Sequence, residues 1–188
     1  MNIAKYREAE LTKPVNPFFA ILEPYLPAGG NALDLGCGTG KGAAWLANHG
    51  FTVHAIDSDP EMIAIAEEIH GDNPAVTFAL ADITDISFAK ADVITAVFSL
   101  FFLPKDQMLE TWQRIGDALN PGGVFGGQFI GPGDDWAKDG AATVTREELD
   151  GLLSGYEILH LDEVKRPGKT IWGEPKQWHA YHVIVRRS

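Results

Sequence analysis

Asn31-Ala32-Leu33-Asp34-Leu35-Gly36-Cys37-Gly38-Thr39-Gly40-Lys41-Gly42 is the stretch on which the reading of this chain turns. Ala32, Leu33 and Leu35 predict a short buried strand with Asp34 near its carboxyl end. Gly36, Gly38 and Gly40 let the backbone turn sharply and approach a ligand closely before a helix that begins near Lys41. A strand, a glycine loop and a helix in that order form a nucleotide-type cofactor loop. A phosphate-cradling P-loop needs four residues between its first glycine and the Gly-Lys pair, followed by Ser or Thr; here there are three, followed by Gly42. A dinucleotide fingerprint fits as Gly38-x-Gly40-x-x-Ala43, with the pyrophosphate at the helix amino terminus. It leaves Asp34 unexplained, because a carboxylate beside the loop repels a pyrophosphate and attracts a cationic amino group.

Asp34-Leu35-Gly36-Cys37-Gly38-Thr39-Gly40 closely resembles the first motif of the class I S-adenosylmethionine-dependent methyltransferases, and the resemblance extends over most of residues 31 to 130. It implies that S-adenosylmethionine is the cofactor, that S-adenosylhomocysteine is the product, and that Asp34 faces the cationic methionine part. It also implies a single α/β domain over residues 1–188: a doubly wound, Rossmann-like sheet of about seven strands with an antiparallel last strand. Residues 1–30 would be a helical arm, 31–130 the cofactor-binding core, and 131–188 the substrate-side loops and closing hairpin.

Composition narrows the function. The chain has 188 residues, 45% hydrophobic and 22% charged, as expected of one ordinary globular domain. No apolar run is long enough to span a bilayer and no signal-peptide pattern follows Met1, so a cytoplasmic protein without membrane contact is expected. A formal charge of −11, with few and scattered basic residues, argues against nucleic acid and for a small, neutral-to-cationic substrate. Oligomeric state has no signature. The single cysteine, Cys37, excludes an internal disulfide and a cysteine-cluster zinc site, and reads as a small side chain in the cofactor loop.

Downstream, Lys41 to His49 predicts a helix closed by Gly50, and Phe51 to Ile56 a second strand ending at Asp57. Asp57 lies 21 residues after Gly36, the spacing of an acid that accepts hydrogen bonds from both ribose hydroxyls. Asp59 caps a helix with Pro60 at its first position, bringing Ser58 and Met62 to the helix entry near the adenine. A third strand, Ala75 to Leu80, runs into Asp82 and Ile83. By resemblance, Asp82 accepts from the adenine amino group and the Ile83 amide meets the ring. Phe98 and Ser99, after a fourth strand from Ala91, complete the cofactor set, and Tyr6 in the arm is added to it on the same ground.

Candidates for the substrate side come from the remaining loops. Ser99-Leu100-Phe101-Phe102-Leu103-Pro104 lacks the Asn or Asp followed by Pro-Pro that base-methylating enzymes carry after this strand. Phe101 and Phe102 offer an apolar or cation-accepting wall instead. Met108, Trp112, Ile115 and Leu119 form the buried stripe of a helix, and Pro121-Gly122-Gly123 turns into a fifth strand, Val124 to Ile130. Asn16 is expected to cap an amphipathic helix with Pro17 at its first position. Asp135 and Trp136 stand on a loop at the sheet's carboxyl end, and Thr145 with Glu148 forms a capping box. Tyr156 to Leu161 and Trp178 to Val185 read as the last two strands, with an irregular Gly- and Pro-rich segment from Arg166 to Gln177 between them. If the last two strands pair antiparallel, as the resemblance implies, this connection lies on the ligand face and brings Trp172, Lys176 and His179 within range of a substrate; His179, Trp136 and Trp172 are the catalytic candidates. His179 and His182 fall on opposite faces of a strand, so no metal site is expected.

Two other function classes compete. An NAD-dependent oxidoreductase would require the dinucleotide reading and a Tyr-x-x-x-Lys pair, which the sequence lacks. A non-catalytic S-adenosylmethionine-binding or sensing module would share every cofactor residue.

Overall fold

The computed structural model describes residue 12, residues 14–170 and residues 173–188; Tyr6 and Trp172 lie outside the described residues. Seven strands form one sheet: β1 (Gly30–Leu35), β2 (Phe51–Asp57), β3 (Val76–Leu80), β4 (Ala91–Ala96), β5 (Leu119–Ile130), β6 (Tyr156–Lys169) and β7 (Pro175–Arg187). Their order is β3-β2-β1-β4-β5-β7-β6. The first five are parallel, and β7 runs antiparallel to both its neighbours. The chain therefore builds outward from β1 in one direction and from β4 in the other, which opens a crevice at the carboxyl ends of these two strands.

Helices cover both faces, which is why Ala32, Leu33 and Leu35 of β1 and Ala91, Val93, Ile94 and Ala96 of β4 are all buried. On one face α4 (Lys105–Ala118) lays Met108, Trp112 and Ile115 against Leu35, Ile94, Phe125 and Phe129, and α5 (Arg146–Leu152) adds Leu149. On the other face α1 (Phe18–Leu22) and α2 (Lys41–Asn48) bury Phe18, Phe19, Leu22, Ala43 and Leu46 against Ala32, Val53, Val93 and Val124. The remaining helix, α3 (Pro60–His70), is capped by Asp59, whose carboxylate accepts from the Glu61 and Met62 amides. The capping box of α5 forms as the sequence predicts.

Three expectations need correction. The N-terminal amphipathic helix is only five residues long and passes into a 3-10 turn at Glu23–Tyr25, because Pro24 has no amide to continue the ladder. The helix starts at Phe18 with Pro17, not Asn16, in the cap position; one residue upstream of that cap, the Asn16 carboxamide accepts from the Phe18 amide. The fifth strand starts at Leu119, so Pro121-Gly122-Gly123 lies within it, beside a register shift opposite Ala91 and Val93. The third difference is the largest: most of the supposed irregular segment is hairpin, with Pro167 opposite Gln177 and Gly168 opposite Lys176. β6 is an edge strand, where a proline without an amide is tolerated.

Candidate functional site

The glycine loop leaves β1 at the crevice, and its amides are turned inward. Gly36 and Cys37 both donate to the Ile56 carbonyl, at 2.8 and 3.0 Å, and Gly40 donates to the Cys37 carbonyl at 3.0 Å. Gly38 donates to Asp57 Oδ2 at 2.8 Å. Two glycines are required by contact as well as by dihedral angle. Gly36 has φ +74° and a Cβ there would stand 2.3 Å from Ser99 Cβ; Gly40 has φ +80° and abuts the Phe78 ring.

Asp34 corrects an expectation. Strand alternation points it to the α2 side of β1, where it is 3% exposed. Its Oδ1 accepts from Thr95 Oγ1 at 2.7 Å, and the carboxylate also accepts from the Ala43 amide at the start of α2. It thus lies beneath the loop, at the helix amino terminus, rather than out in the crevice. Burial is the main cause that lifts its pKa to about 6, opposed by the Thr95 bond and reinforced by the Asp57 charge. Burial likewise pushes the Cys37 thiol well above its usual range, with Asp34 and Asp57 adding to the effect, so the thiol is not a nucleophile.

Asp57 ends β2 half-buried. One oxygen holds Gly38 and the other accepts from the Asp59 amide at 2.9 Å. Each carboxylate oxygen has a second lone pair, so capacity remains for two hydroxyl donors. Ser58 is exposed beside it. Met62 is 5% exposed in the inner stripe of α3, offering a ligand no more than an edge. Asp82, exposed after β3, accepts from both the amide and the hydroxyl of Thr84, and these bonds lower its pKa. Ile83 is buried, with its carbonyl held by Arg114.

The end of β4 is where sequence reasoning saw least. Phe98 has φ +57°, the only described non-glycine residue with positive φ. Strain of this kind costs about 1–3 kcal/mol and is retained where the surroundings impose it. Here the Phe98 amide donates at 3.0 Å to Oε1 of Gln128, a fully buried β5 residue. The other half of that carboxamide, Nε2, is buried with no partner among the described residues, a situation that costs about 1–3 kcal/mol unless something fills it. Ser99 Oγ donates to the Leu35 carbonyl at 2.6 Å, tying this segment to the glycine loop.

Aromatic rings gather beyond it. Phe98 stands edge-on to Trp178 at 5.8 Å and to Phe101 at 6.0 Å, and Trp136 stacks on Phe101 at 5.6 Å. Phe101 is fully buried, whereas Phe102 is 63% exposed. The cation near these rings belongs to the protein itself. Lys176 Nζ lies 4.0 Å from the Trp136 ring centre and 4.2 Å from that of Trp178, in an ion pair with buried Asp134. Lys176 therefore does not reach a substrate. Asp134, which the sequence reading passed over for its neighbour, also accepts from the amides of Trp136 and His179. Asp135 itself is engaged by Lys138 and the Gln177 amide.

His179, a catalytic candidate, is 7% exposed and held at both nitrogens. Nδ1 accepts from the Gly133 amide at 3.1 Å, which leaves the proton on Nε2 to be donated to Glu163 at 3.0 Å. A ring so engaged has no lone pair free to act as a base. His182, three residues on, points to the opposite face toward Phe18, as the strand periodicity requires. Among the described residues no three His, Cys, Asp or Glu side chains are grouped to hold a metal, and no helix is long and apolar enough to cross a membrane.

A phosphate-binding loop presents free amides, whereas here the Gly36, Cys37, Gly38 and Gly40 amides are spent on Ile56, Asp57 and Cys37, and an aspartate occupies the amino terminus of α2. Fold and site together define a doubly wound α/β protein whose crevice suits a cofactor carrying hydroxyls and positive charge rather than a pyrophosphate. Residues 32–123 match the family model described as a methyltransferase domain.

The chain is 35% identical over 123 residues to carboxy-S-adenosyl-L-methionine synthase of Shewanella amazonensis, an alignment covering 61% of this chain and 50% of that protein. It is 36% identical over 143 residues to methyltransferase GfsG of Streptomyces halstedii, covering 72% and 49%. The chain thus spans about half the length of these curated relatives. Among solved structures, the N-methyltransferase NodS of Bradyrhizobium japonicum in complex with S-adenosyl-L-homocysteine superposes with a TM-score of 0.74 at 20% identity, covering 100% of this chain and 99% of that one. That likeness establishes the shared fold.

Proposed function

We propose that this chain binds S-adenosylmethionine in the crevice between β1, β2 and β4 and transfers its methyl group to a small-molecule acceptor. The observation that carries the reading is the loop: the half-buried Asp57 carboxylate stands at the crevice holding the Gly38 amide, while the Gly36, Cys37 and Gly40 amides are bonded within the protein. That environment disfavours a pyrophosphate, favours a cation, and leaves Asp57 able to accept from a ribose. The name of methyltransferase GfsG supports methyl transfer, and that of carboxy-S-adenosyl-L-methionine synthase supports a molecule of the S-adenosylmethionine type in the crevice.

When bound, the cofactor supplies an activated methyl group on a sulfonium. The residues of the chain bind and orient. Asp57 receives the ribose hydroxyls, the Asp82–Ile83 turn meets the adenine, and the 97–99 segment, locked by Gln128 and Leu35, faces the reacting end. Holding a nucleophile in line with the methyl carbon can supply roughly 7–11 kcal/mol of rate enhancement, so no elaborate acid–base constellation is needed. The net charge of −11 disfavours a polyanionic acceptor and supports a small molecule, with the cytoplasm as the setting.

Calorimetric titration with S-adenosylmethionine, S-adenosylhomocysteine and NADH tests the reading. Roughly micromolar binding of the first two and none of the third is expected. Binding of NADH alone would make the loop a dinucleotide site and overturn the proposal.

A further inference from the structure

The sheet ends on a long strand with one side open. β6 stands last in the strand order, pairs only with β7 among the described residues, and has no buried residue along its length. The opposite edge, β3, is only five residues long and offers little to pair with.

Which main-chain groups β6 turns outward follows from β7. The Gly131 amide donates to the His179 carbonyl at 2.7 Å and the His179 amide donates to Asp134, so both main-chain groups of His179 point away from β6. In an antiparallel ladder the N–H and C=O of one residue share a side, and the side alternates along the strand. Trp178, Ala180 and His182 therefore turn theirs to β6, and their partners Arg166, Val164 and Asp162 turn back to β7. Leu161, Glu163, Lys165 and Pro167 are left to aim theirs at solvent, which is why a proline fits at 167.

This open run carries a charge palindrome. Asp162-Glu163-Val164-Lys165-Arg166 reads as two acids, one apolar residue and two bases. Lys165 pairs with Glu163 on its own strand at 2.7 Å, whereas Asp162 and Arg166 are exposed and form no ion pair among the described residues.

We infer that the β6 edge is the interface of a symmetric dimer, in which a second copy of this chain adds its own β6 antiparallel about a two-fold axis through Val164. In that register Glu163 lies opposite Lys165 of the partner subunit, and Asp162 lies opposite the partner's Arg166. The 163–165 pairs exchange both main-chain bonds, and each 161–167 pair makes one, from the Leu161 amide to the Pro167 carbonyl. The 162–166 pairs are of the kind without main-chain bonds, whose side chains stand closer, so the charges that lack a partner within one chain meet there. Neighbouring registers are disfavoured. Moving the axis one residue toward the amino end sets Glu163 opposite itself, and one residue toward the carboxyl end sets Lys165 opposite itself; like charges directly opposed are destabilising. The same charges that guard the edge against indiscriminate pairing thus select a second copy.

Sedimentation velocity of the full chain over roughly 1–200 µM tests the inference, with a dimer of roughly 10 µM Kd expected for so small an interface. The runs use about 0.15 M salt, so that the net charge of −11 on each chain is screened beyond the contact. Arg166→Asp and Asp162→Arg each set like charges across both 162–166 pairs, at positions exposed in the single chain. Each should weaken self-association at least about tenfold, with a wild-type urea midpoint at dilutions where every chain is monomeric. An equimolar mixture of the two variants restores opposite charges at both pairs and should recover wild-type association. A wild-type chain that stays monomeric throughout, single variants that associate like the wild type, or a mixture no tighter than its components would each overturn the proposal.

Discussion

The Asp57 carboxylate and the Gly38 amide meet at 2.8 Å across 19 residues, so the acid that ends β2 also shapes the loop that leaves β1. The same side chain holds the Asp59 amide through its other oxygen. Asp57→Ala removes both bonds together with the carboxylate proposed to receive the ribose. S-adenosylhomocysteine affinity should fall by about 1.5–3 kcal/mol by calorimetry, the range for hydrogen bonds to a charged group, and unchanged affinity would remove Asp57 from the site.

Asp34 should make stability pH-dependent. Its folded pKa of about 6 lies above the ordinary 3.8, so the native state binds the proton more tightly than the unfolded state. The contribution is fully present below about pH 4 and is lost as pH rises through about 6. A shift of this size corresponds to about 3 kcal/mol. In urea unfolding between pH 4 and 7, Asp34→Asn should gain on the wild type by up to that amount as pH rises; a constant difference would contradict the burial effect.

Lys176 and Asp134 form a pair that is buried on both sides. Replacing Lys176 by Met leaves Asp134 charged and without its counterion, and the stability loss should reach roughly 3–5 kcal/mol in denaturant titration. A loss within the range of a surface ion pair would show that solvent reaches Asp134.

Gly36→Ala places a methyl group against Ser99 at a backbone angle of +74°. Strain of roughly 1–3 kcal/mol is expected, and the loop must shift away from the β4 end to relieve the contact. Both the unfolding midpoint and S-adenosylhomocysteine affinity should fall; a variant with wild-type affinity would show that the loop and the 97–99 segment move independently.

Local sequence carried the order of elements, because the glycine loop, the Asp59-Pro60 cap, the Thr145–Glu148 box and the stripe of α4 are each set by residues a few positions apart. It carried Asp57 as well, since a fixed strand–helix–strand length brings the acid to the loop. Three things required the tertiary structure. Strand alternation pointed toward one face or the other, but only the packed helix revealed that Asp34 lies under the loop and is bonded to Thr95, 61 residues away. Pairing with β7 extended β6 through Pro167 and Gly168, whose local preferences oppose a strand. Gln128 is legible only in three dimensions: a glutamine in an apolar strand has no motif, and its meaning comes from the Phe98 amide it holds and from the donor it leaves unpaired. Short-range preferences select elements, while the choice of partner for each buried polar group is made by chain segments that only folding brings together.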